Sequence, residues 1–319
     1  MTLVTSKPTH PELAEDPAGS SATQLVCVLM PVYNERYRVA EAIQEVLEAR
    51  WPGFKRHLVV VDDGSTDGTR EILRELAQQH ASQITLIEHE VNQGKGAAIR
   101  TAIGAAQGDF AVIQDADLEY DPNDCAPMFE LLAHGQADVV YGSRFTSSPR
   151  RRVLYFWHSL GNRVLTTLCN MFADLNLTDM ETGYKAFRLE LLKSIPIRCD
   201  RFGIEPEITI KTAKRGMTIY EVPASYYGRT YAEGKKITAW DGVKAIATIL
   251  RFWIVDDLYD AQYGHAILHR LSGAHRFNRW MADTVRPYVG QRVLEIGAGI
   301  GNLTARLLPR DHYTATDID

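Results

Sequence analysis

From Leu25 to Tyr141 short apolar runs alternate with stretches of helical periodicity, and this alternation restricts the fold more than any other feature of the chain. Leu25–Met30, Leu58–Val61, Ile84–Glu88, Phe110–Gln114 and Asp138–Tyr141 read as strands. Val39–Ala49, Thr69–Gln79, Lys95–Ala106 and Pro127–Ala133 read as the helices between them. Strands separated by helices of about ten residues build a mostly parallel sheet covered on both faces, so the expected class is α/β and Rossmann-like. Ligands of such sheets bind beyond the strand ends. Three of those ends are polar: P-V-Y-N-E (Pro31 to Glu35), D-D-G-S-T-D-G-T (Asp62 to Thr69) and D-A-D-L-E-Y-D-P (Asp115 to Pro122). Gly, Asp and Ser are turn formers, but turns alone do not account for three such clusters on one rim.

The net charge of −5 argues against wholesale coating of a nucleic acid, and none is expected as a partner. The distribution is more telling than the sum. Thr101 to Ser143 holds no Lys or Arg but eight acids, whereas Arg144, Arg150, Arg151, Arg152 and Arg163 follow with no acid among them. Such adjoining segments suit a cation on one side and an anion on the other. Four scattered cysteines form no C-x-x-C pair, which points away from a zinc knuckle or a disulfide framework and toward a reducing, cytoplasmic setting. No apolar run reaches the roughly 18–20 residues of a membrane span. Residues 1–23 read as a solvated tail rich in Pro, Ser, Thr and Ala. Val153, Trp157, Leu160, Val164, Leu168 and Met171 form one apolar helical stripe, begun by arginines and by Tyr155, Phe156 and Trp157. That start suits a helix lying on the inner, anionic face of a membrane, or else a helix packed on the sheet with surface arginines.

Asp115 and Asp117 flank one small residue at a strand end, where both can reach a hard cation such as Mg²⁺ or Mn²⁺ that shares its remaining positions with phosphate oxygens. Glu119 or Asp121 is a further candidate ligand, and no base lies nearby in sequence to neutralise these acids. Asp62 and Asp63 can accept from a base N–H or a ribose hydroxyl, while Asp67 is placed to cap the next helix. Tyr33 can stack on a base, and Glu35 can contact ribose or cap a helix. In N-Q-G-K-G, Lys95 stands at a helix start as an anion contact, without P-loop spacing.

These motifs, taken in order with Y-G-S-R-F (Tyr141 to Phe145), resemble glycosyltransferase family 2, and more closely its dolichyl- or polyprenyl-phosphate mannosyl- and glucosyltransferases. E-T-G-Y-K-A-F (Glu181 to Phe187), G-I-E-P-E-I-T (Gly203 to Thr209), E-V-P-A-S-Y (Glu221 to Tyr226) and G-R-T-Y-A-E-G-K-K-I (Gly228 to Ile237) extend the resemblance over Leu25 to Asp257. It implies a GT-A fold over residues 24–258 that binds a nucleotide-diphosphate sugar. Pro31, Tyr33, Glu35 and an acid of the Asp62/Asp63 pair would hold the nucleoside. Asp115 and Asp117, with Glu119, would hold Mg²⁺ or Mn²⁺; Glu119 stands where mannosyl members often carry Gln. Arg144, Arg229, Lys235 and Lys236 would face the anionic groups of donor and acceptor. A polyprenyl phosphate is already ionised near neutral pH and needs no general base, so the implied reaction is a single inverting displacement. A hydroxyl acceptor would need a base, for which Asp179, Glu181 and Glu205 are the candidates.

Residues 259–289 read as a helical connector. From 290, a strand pattern enters E-I-G-A-G-I-G (Glu295 to Gly301), followed by a helix-like run and Asp317. Gly297, Gly299 and Gly301, with Glu295 and Asp317, resemble the first motif of class I S-adenosylmethionine methyltransferases, although Asn302 replaces a third fingerprint glycine. Thirty residues bury too little to enclose a cofactor, so S-adenosylmethionine is expected only as a partner of a completed domain. A methyltransferase whose N-terminal part merely binds a nucleotide sugar is the competing organisation.

Overall fold

The computed structural model describes residues 23–146, 155–201, 203–228, 239–258, 274–299 and 301–317. Arg229, Lys235 and Lys236, the arginines at 150–152, the tail to residue 22 and connector residues 259–273 lie outside the described residues.

The first half follows the expected alternation: β1 (Gln24–Val32), α1 (Val39–Glu48), β2 (Phe54–Asp62), α2 (Thr69–Gln79), β3 (Ile84–Glu88), α3 (Lys95–Ala105), β4 (Phe110–Ile113), α4 (Ala126–Ala133) and β5 (Val139–Ser143). Beyond β5 the sheet continues where the sequence pattern had lost it. After α5 (Phe156–Ala173) come β6 (Lys185–Arg188), α6 (Leu189–Lys193), α7 (Ile204–Lys214), β7 (Ile219–Pro223) and α8 (Ala239–Ile254). These last strands are short, and neither carries a long apolar run, so periodicity alone does not reveal them.

The seven strands are ordered β3-β2-β1-β4-β6-β5-β7. All neighbours are parallel except β6, which runs antiparallel to both β4 and β5. The chain therefore reaches the rim twice over: in the loops after β1, β2, β4 and β5, and in the segment before β6. Strand β1 shows why both faces are covered. Val26, Val28, Met30 and Val32 join one buried cluster with α1 and α4, and Cys27 and Leu29 join another with α3 and α7. Such period-two division of a strand buried on both sides is the mark of a doubly covered sheet. A third cluster, Cys169, Met180, Ile210, Ile249 and Phe252, ties α5, α7 and α8 together.

A separate two-stranded parallel pair, β8 (Arg292–Ile296) and β9 (His312–Thr316), follows α9 (His275–Val285) and brackets the four-residue α10 (Thr304–Leu307). Gly297, Gly299 and Gly301 all adopt positive φ, the conformation glycine enters without a Cβ penalty. The Gly299 N–H donates to Asp317, and Thr304 and Tyr313 hydroxyls donate to Glu295. Leu294 and Ile296 remain largely exposed.

Candidate active site

Chain direction gathers the site. Strand order reverses about β1, whose neighbours are β2 and β4, and the polar segments Tyr33–Glu35 and Asp115–Glu119 leave the sheet at this switch point. Tyr33 is about 39% exposed at the mouth. Pro31 is half-buried and Glu35 lies 3.4 Å from Arg38. The loop is cross-braced to the β2–α2 turn: Asn34 N–H donates to Ser65 Oγ (3.0 Å), Thr66 N–H to Asn34 Oδ1 (2.9 Å), and Glu35 N–H to Thr69 Oγ1 (3.0 Å). Asp67, one residue before the Gly68 cap position of α2, accepts from the Thr69 N–H and hydroxyl.

Asp62 and Asp63 are buried. Asp62 accepts from Ser65 N–H (3.2 Å) and Arg70 Nε (2.7 Å). Asp63 accepts from Gln93 N–H (2.9 Å) and Gly94 N–H (2.7 Å), and is paired with His89 Nδ1 at 2.8 Å. Both carboxylates thus hold the chain's own loops together. Asp63 in particular fixes the turn that delivers Lys95.

Lys95 begins α3 as expected, but its ammonium does not stand open to solvent. Nζ lies 2.9 Å from Asp115 Oδ2 and 3.1 Å from Glu205 Oε1. Burial works against the charge, yet the two carboxylates outweigh it and hold Lys95 above the ordinary lysine range. The acid cluster that lacks bases in sequence therefore gains one in space, from a residue 20 positions earlier.

Asp117 Oδ1 accepts from Glu119 N–H at 3.2 Å across Leu118, which adopts φ 61°, an unusual value for a branched side chain. Glu119 Oε2 accepts from the Tyr226 hydroxyl at 2.7 Å, and Tyr120 pairs with Tyr226 in an isolated β-bridge. Among the described residues no three His, Cys, Asp or Glu side chains are grouped to hold a metal. The donor chemistry of Asp115 and Asp117 fits a divalent cation, since Mg²⁺-type ions commonly take one or two carboxylates and complete their shell with water and phosphate. Asp121 is used locally, accepting from Asn123 N–H at 2.9 Å.

Because β6 is reversed, the segment Asp179–Tyr184 lies beside Asp115 and Arg144 on the same rim. Arg144 was expected to face donor and acceptor anions; it is buried in a bidentate pair with Asp179, Nε–Oδ2 2.6 Å and NH2–Oδ1 2.7 Å. Asn162 Nδ2 adds a bond to Asp179 at 3.1 Å. Desolvating either charge alone would be costly, and the fork geometry is what makes the burial tolerable. Gly183 packs so closely that a Cβ there would fall 2.6 Å from Asp115 Oδ2. Gln114 donates to the Asp115 carbonyl and accepts from the Tyr184 hydroxyl at 2.6 Å. Lys185 is buried, donating to the Met180 and Thr182 carbonyls; burial pushes it down to about 8 despite Glu205 and Glu181 nearby. Glu181 is pushed up to about 7 by burial and by Glu205, and its Oε1 has no hydrogen-bond partner among the described residues. Gly183, Tyr184 and Lys185 were not picked out as site residues, although a glycine interrupting E-T-G-Y-K-A-F before a strand was the available signal.

The sequence pattern described as glycosyl transferase family 2 matches residues 27–195, more than half of the chain. Glycosyltransferase AglJ of Haloferax volcanii is 33% identical over 205 residues, 64% of this chain and 63% of AglJ, so the chain spans less than two thirds of that relative. Polyprenol monophosphomannose synthase of Mycolicibacterium smegmatis is 28% identical over 227 residues, covering 69% of this chain and 84% of the synthase. Among solved structures, glucosyl-3-phosphoglycerate synthase from Mycobacterium tuberculosis, in complex with Mn²⁺, UDP-glucose and phosphoglyceric acid, superposes with a TM-score of 0.55 at 20% identity, covering 77% of this chain and 87% of that one. With its doubly covered sheet and polar switch-point rim, the chain belongs to glycosyl transferase family 2 and has a GT-A-like fold.

Proposed function

We propose that this glycosyltransferase moves a hexose from a nucleotide-diphosphate sugar to a polyprenyl phosphate at the cytoplasmic face of a membrane. The observation that carries the lipid acceptor is the start of α5. Tyr155, Phe156 and Trp157 stand exposed there, Trp157 at 77%, on the helix that follows the rim strand β5. Phe172 and Trp253, ring centroids 5.0 Å apart, join α5 to α8. Helix α8, packed on α5, likewise exposes Val243, Leu250, Trp253 and Ile254. Arg163, Lys244 and Arg251 lie among them, and aromatic side chains with basic neighbours suit an interfacial helix on anionic lipid. No helix among the described residues is long and apolar enough to cross a membrane, so attachment by this surface is the reading we adopt. The names of AglJ's fellow relatives support the acceptor: polyprenol monophosphomannose synthase, and a dolichyl-phosphate N-acetylglucosaminyltransferase from Methanococcus voltae that is 25% identical over 245 residues.

In this reading Pro31, Tyr33, Glu35 and the Asp62/Asp63 turn form the nucleoside side, and Asp115 and Asp117 would hold Mg²⁺ or Mn²⁺. The cation would offset charge developing on the departing diphosphate. The Mn²⁺ complex of the structural neighbour supports a divalent cation in this reading. Arg229, Lys235 and Lys236 are assigned to the acceptor phosphate on sequence grounds, while Arg144 acts through Asp179 to hold the rim. An acceptor phosphate oxygen forms a bond to the anomeric carbon as the carbon–diphosphate bond breaks, inverting the configuration. The nucleoside diphosphate leaves, and no proton has to be removed by the protein.

A hydroxyl acceptor is the second reading, favoured by Glu181 alone. Asp179 and Glu205 are committed to Arg144 and Lys95, whereas the Glu181 carboxyl, pushed up to about 7, has the basicity a general base needs. We assign 1–23 as a tail, 24–258 as the catalytic domain, 259–289 as a connector and 290–319 as a methyltransferase-like segment. The positive-φ glycines and the Gly299–Asp317 bond support that last assignment.

The test is incubation with GDP-mannose, UDP-glucose and UDP-N-acetylglucosamine, each with Mg²⁺ or Mn²⁺ and polyprenyl phosphate in anionic vesicles, followed by mass spectrometry of the lipid fraction. A glycosylated polyprenyl monophosphate is expected. Donor consumption with a glycosylated hydroxyl compound and no lipid product overturns the lipid reading in favour of the second.

A further inference from the structure

The Lys95 ammonium is shared by two carboxylates that come from different elements, Asp115 after β4 and Glu205 in the first turn of α7. It is held tightly: Asp115 Oδ2 has Lys95 on one side and Gly183, with no room for a Cβ, on the other. The turn that carries Lys95 is fixed as well. Asp63 takes the Gly94 N–H, Ala97 N–H donates to the Asp200 carbonyl, and a Cβ on Gly96 would overlap the Cys199 carbonyl. The Cys199 segment is in turn held by Glu207, which accepts from Arg198 and Cys199 N–H at 2.8 and 2.7 Å. Glu205 has acceptor capacity left, because its Oε2 is buried with no hydrogen-bond partner among the described residues.

Resting on the assignment of a divalent cation to Asp115 and Asp117, we propose that Lys95 couples cation binding to donor binding. Without a donor, the ammonium neutralises Asp115 and stands where it repels a divalent cation. A diphosphate arriving at the rim offers Lys95 a new anionic partner and frees Asp115 for the cation. Glu205 is a positioning residue: it keeps the ammonium at the rim after the contact with Asp115 is released, its second oxygen replacing the acceptor that was lost. Cation and nucleotide then bind cooperatively, each raising the other's affinity by the same factor. A cation that met two unpaired carboxylates would gain from the nucleotide only through the phosphate oxygens it shares, and its nucleotide-free binding would not tighten when Lys95 is removed.

Binding of Mn²⁺ to the full chain, followed by the electron paramagnetic resonance signal of the free ion with and without UDP or GDP at buffered free Mn²⁺, separates the possibilities without any turnover. In the wild-type chain, nucleotide is expected to tighten Mn²⁺ binding by about ten-fold, the equivalent of about 1.4 kcal/mol. Lys95→Met should bind Mn²⁺ more tightly than wild type when no nucleotide is present and should show a smaller nucleotide effect, because only the contribution of shared phosphate oxygens remains. Glu205→Gln should shift in the opposite direction, with weaker nucleotide-free binding, because Asp115 then carries the whole of the ammonium's charge. Loss of a merely structural contact would weaken binding in both variants. Nucleotide-free binding in Lys95→Met no tighter than in wild type overturns the coupling and leaves the two-carboxylate cation assignment standing. Should Lys95→Met not fold, an unshifted Glu205→Gln overturns it equally. Failure of the wild-type chain to bind Mn²⁺ even with nucleotide overturns the cation assignment and the coupling together.

Discussion

After β2, Asp62 and Asp63 accept from Ser65, Arg70, Gln93 and Gly94 and pair with His89; after β4, Asp115 shares a single ammonium with Glu205, and Asp117 bonds the Glu119 N–H across a residue at positive φ. Both turns are rich in acids and both leave parallel strands on the same rim. In the first, carboxylates replace backbone partners and fasten one loop to the next. In the second, Asp115 meets a single lysine ammonium that it shares with Glu205. Acid content at a strand end therefore does not define a metal site. What separates the two turns is the partner: backbone N–H groups and a guanidinium braced by the His89 carbonyl in the first, a single ammonium on a four-carbon stem in the second.

The largest effect that would sharpen this contrast is loss of transfer in Asp117→Ala. Turnover should fall by at least about 10²- to 10³-fold, the scale seen when one electrostatic contact to a developing charge is removed, with melting temperature nearly unchanged. Activity retained with added Mg²⁺ or Mn²⁺ would erase the distinction between the turns. Asp63→Ala should show the reverse profile. It strands two backbone N–H groups and His89 in a buried place, and should cost about 3–5 kcal/mol in a denaturant titration. A loss below about 1 kcal/mol would mean that the β2 turn is no more structural than the β4 turn. Gly183→Ala should fall between them at about 1–3 kcal/mol, because its Cβ must push Asp115 Oδ2 or the Tyr120 ring aside. Its Mn²⁺ affinity in the presence of nucleotide should drop further than its stability does.

The smallest effect is a pH slope. Glu181 is pushed up from 4.5 to about 7 in the folded protein, so between those values the native state holds more protons than the unfolded one. Its contribution to stability is full below about 4.5 and is lost as pH rises through about 7. Lys185, pushed down from 10.5 to about 8, acts in a higher window and with the opposite slope. Glu181→Gln should therefore gain on wild type as pH rises from 4.5 to 7, on the order of 1 kcal/mol once solvent and Lys185 have shared the charge. Parallel stability curves for variant and wild type would place Glu181 in an ordinary aqueous setting and remove the one feature that suits it to act as a base.

The first five strands, and the helices between them, were legible because each is a local pattern of apolar residues, matched within a few residues by β1 to β5. The rim clusters were legible for the same reason, since they directly follow those strands. The bonds from Thr69 to Asp67 could be read from three neighbouring residues. The pairings that give the rim its electrostatics could not. Lys95 meets Glu205 across more than a hundred residues, and Arg144 meets Asp179 across 35, so nothing in local spacing couples them. Glu119 was read as a further candidate ligand; its bond from the Tyr226 hydroxyl, made by a segment 107 residues away, is likewise absent from local spacing.

One reversed strand has a consequence for how such a rim can change over generations. Loops that follow parallel strands are anchored where they leave the sheet and are bound to the helix that comes next, so their lengths are constrained at both ends. The segment before β6 is anchored where it enters the sheet, with α5 upstream as its tether. Insertions just after Ala173 could lengthen that tether without altering the register of any donor-side loop. The rim segment before β6 can thereby vary in its approach while the loops that follow the parallel strands keep theirs, a separation of tolerances within one sheet edge.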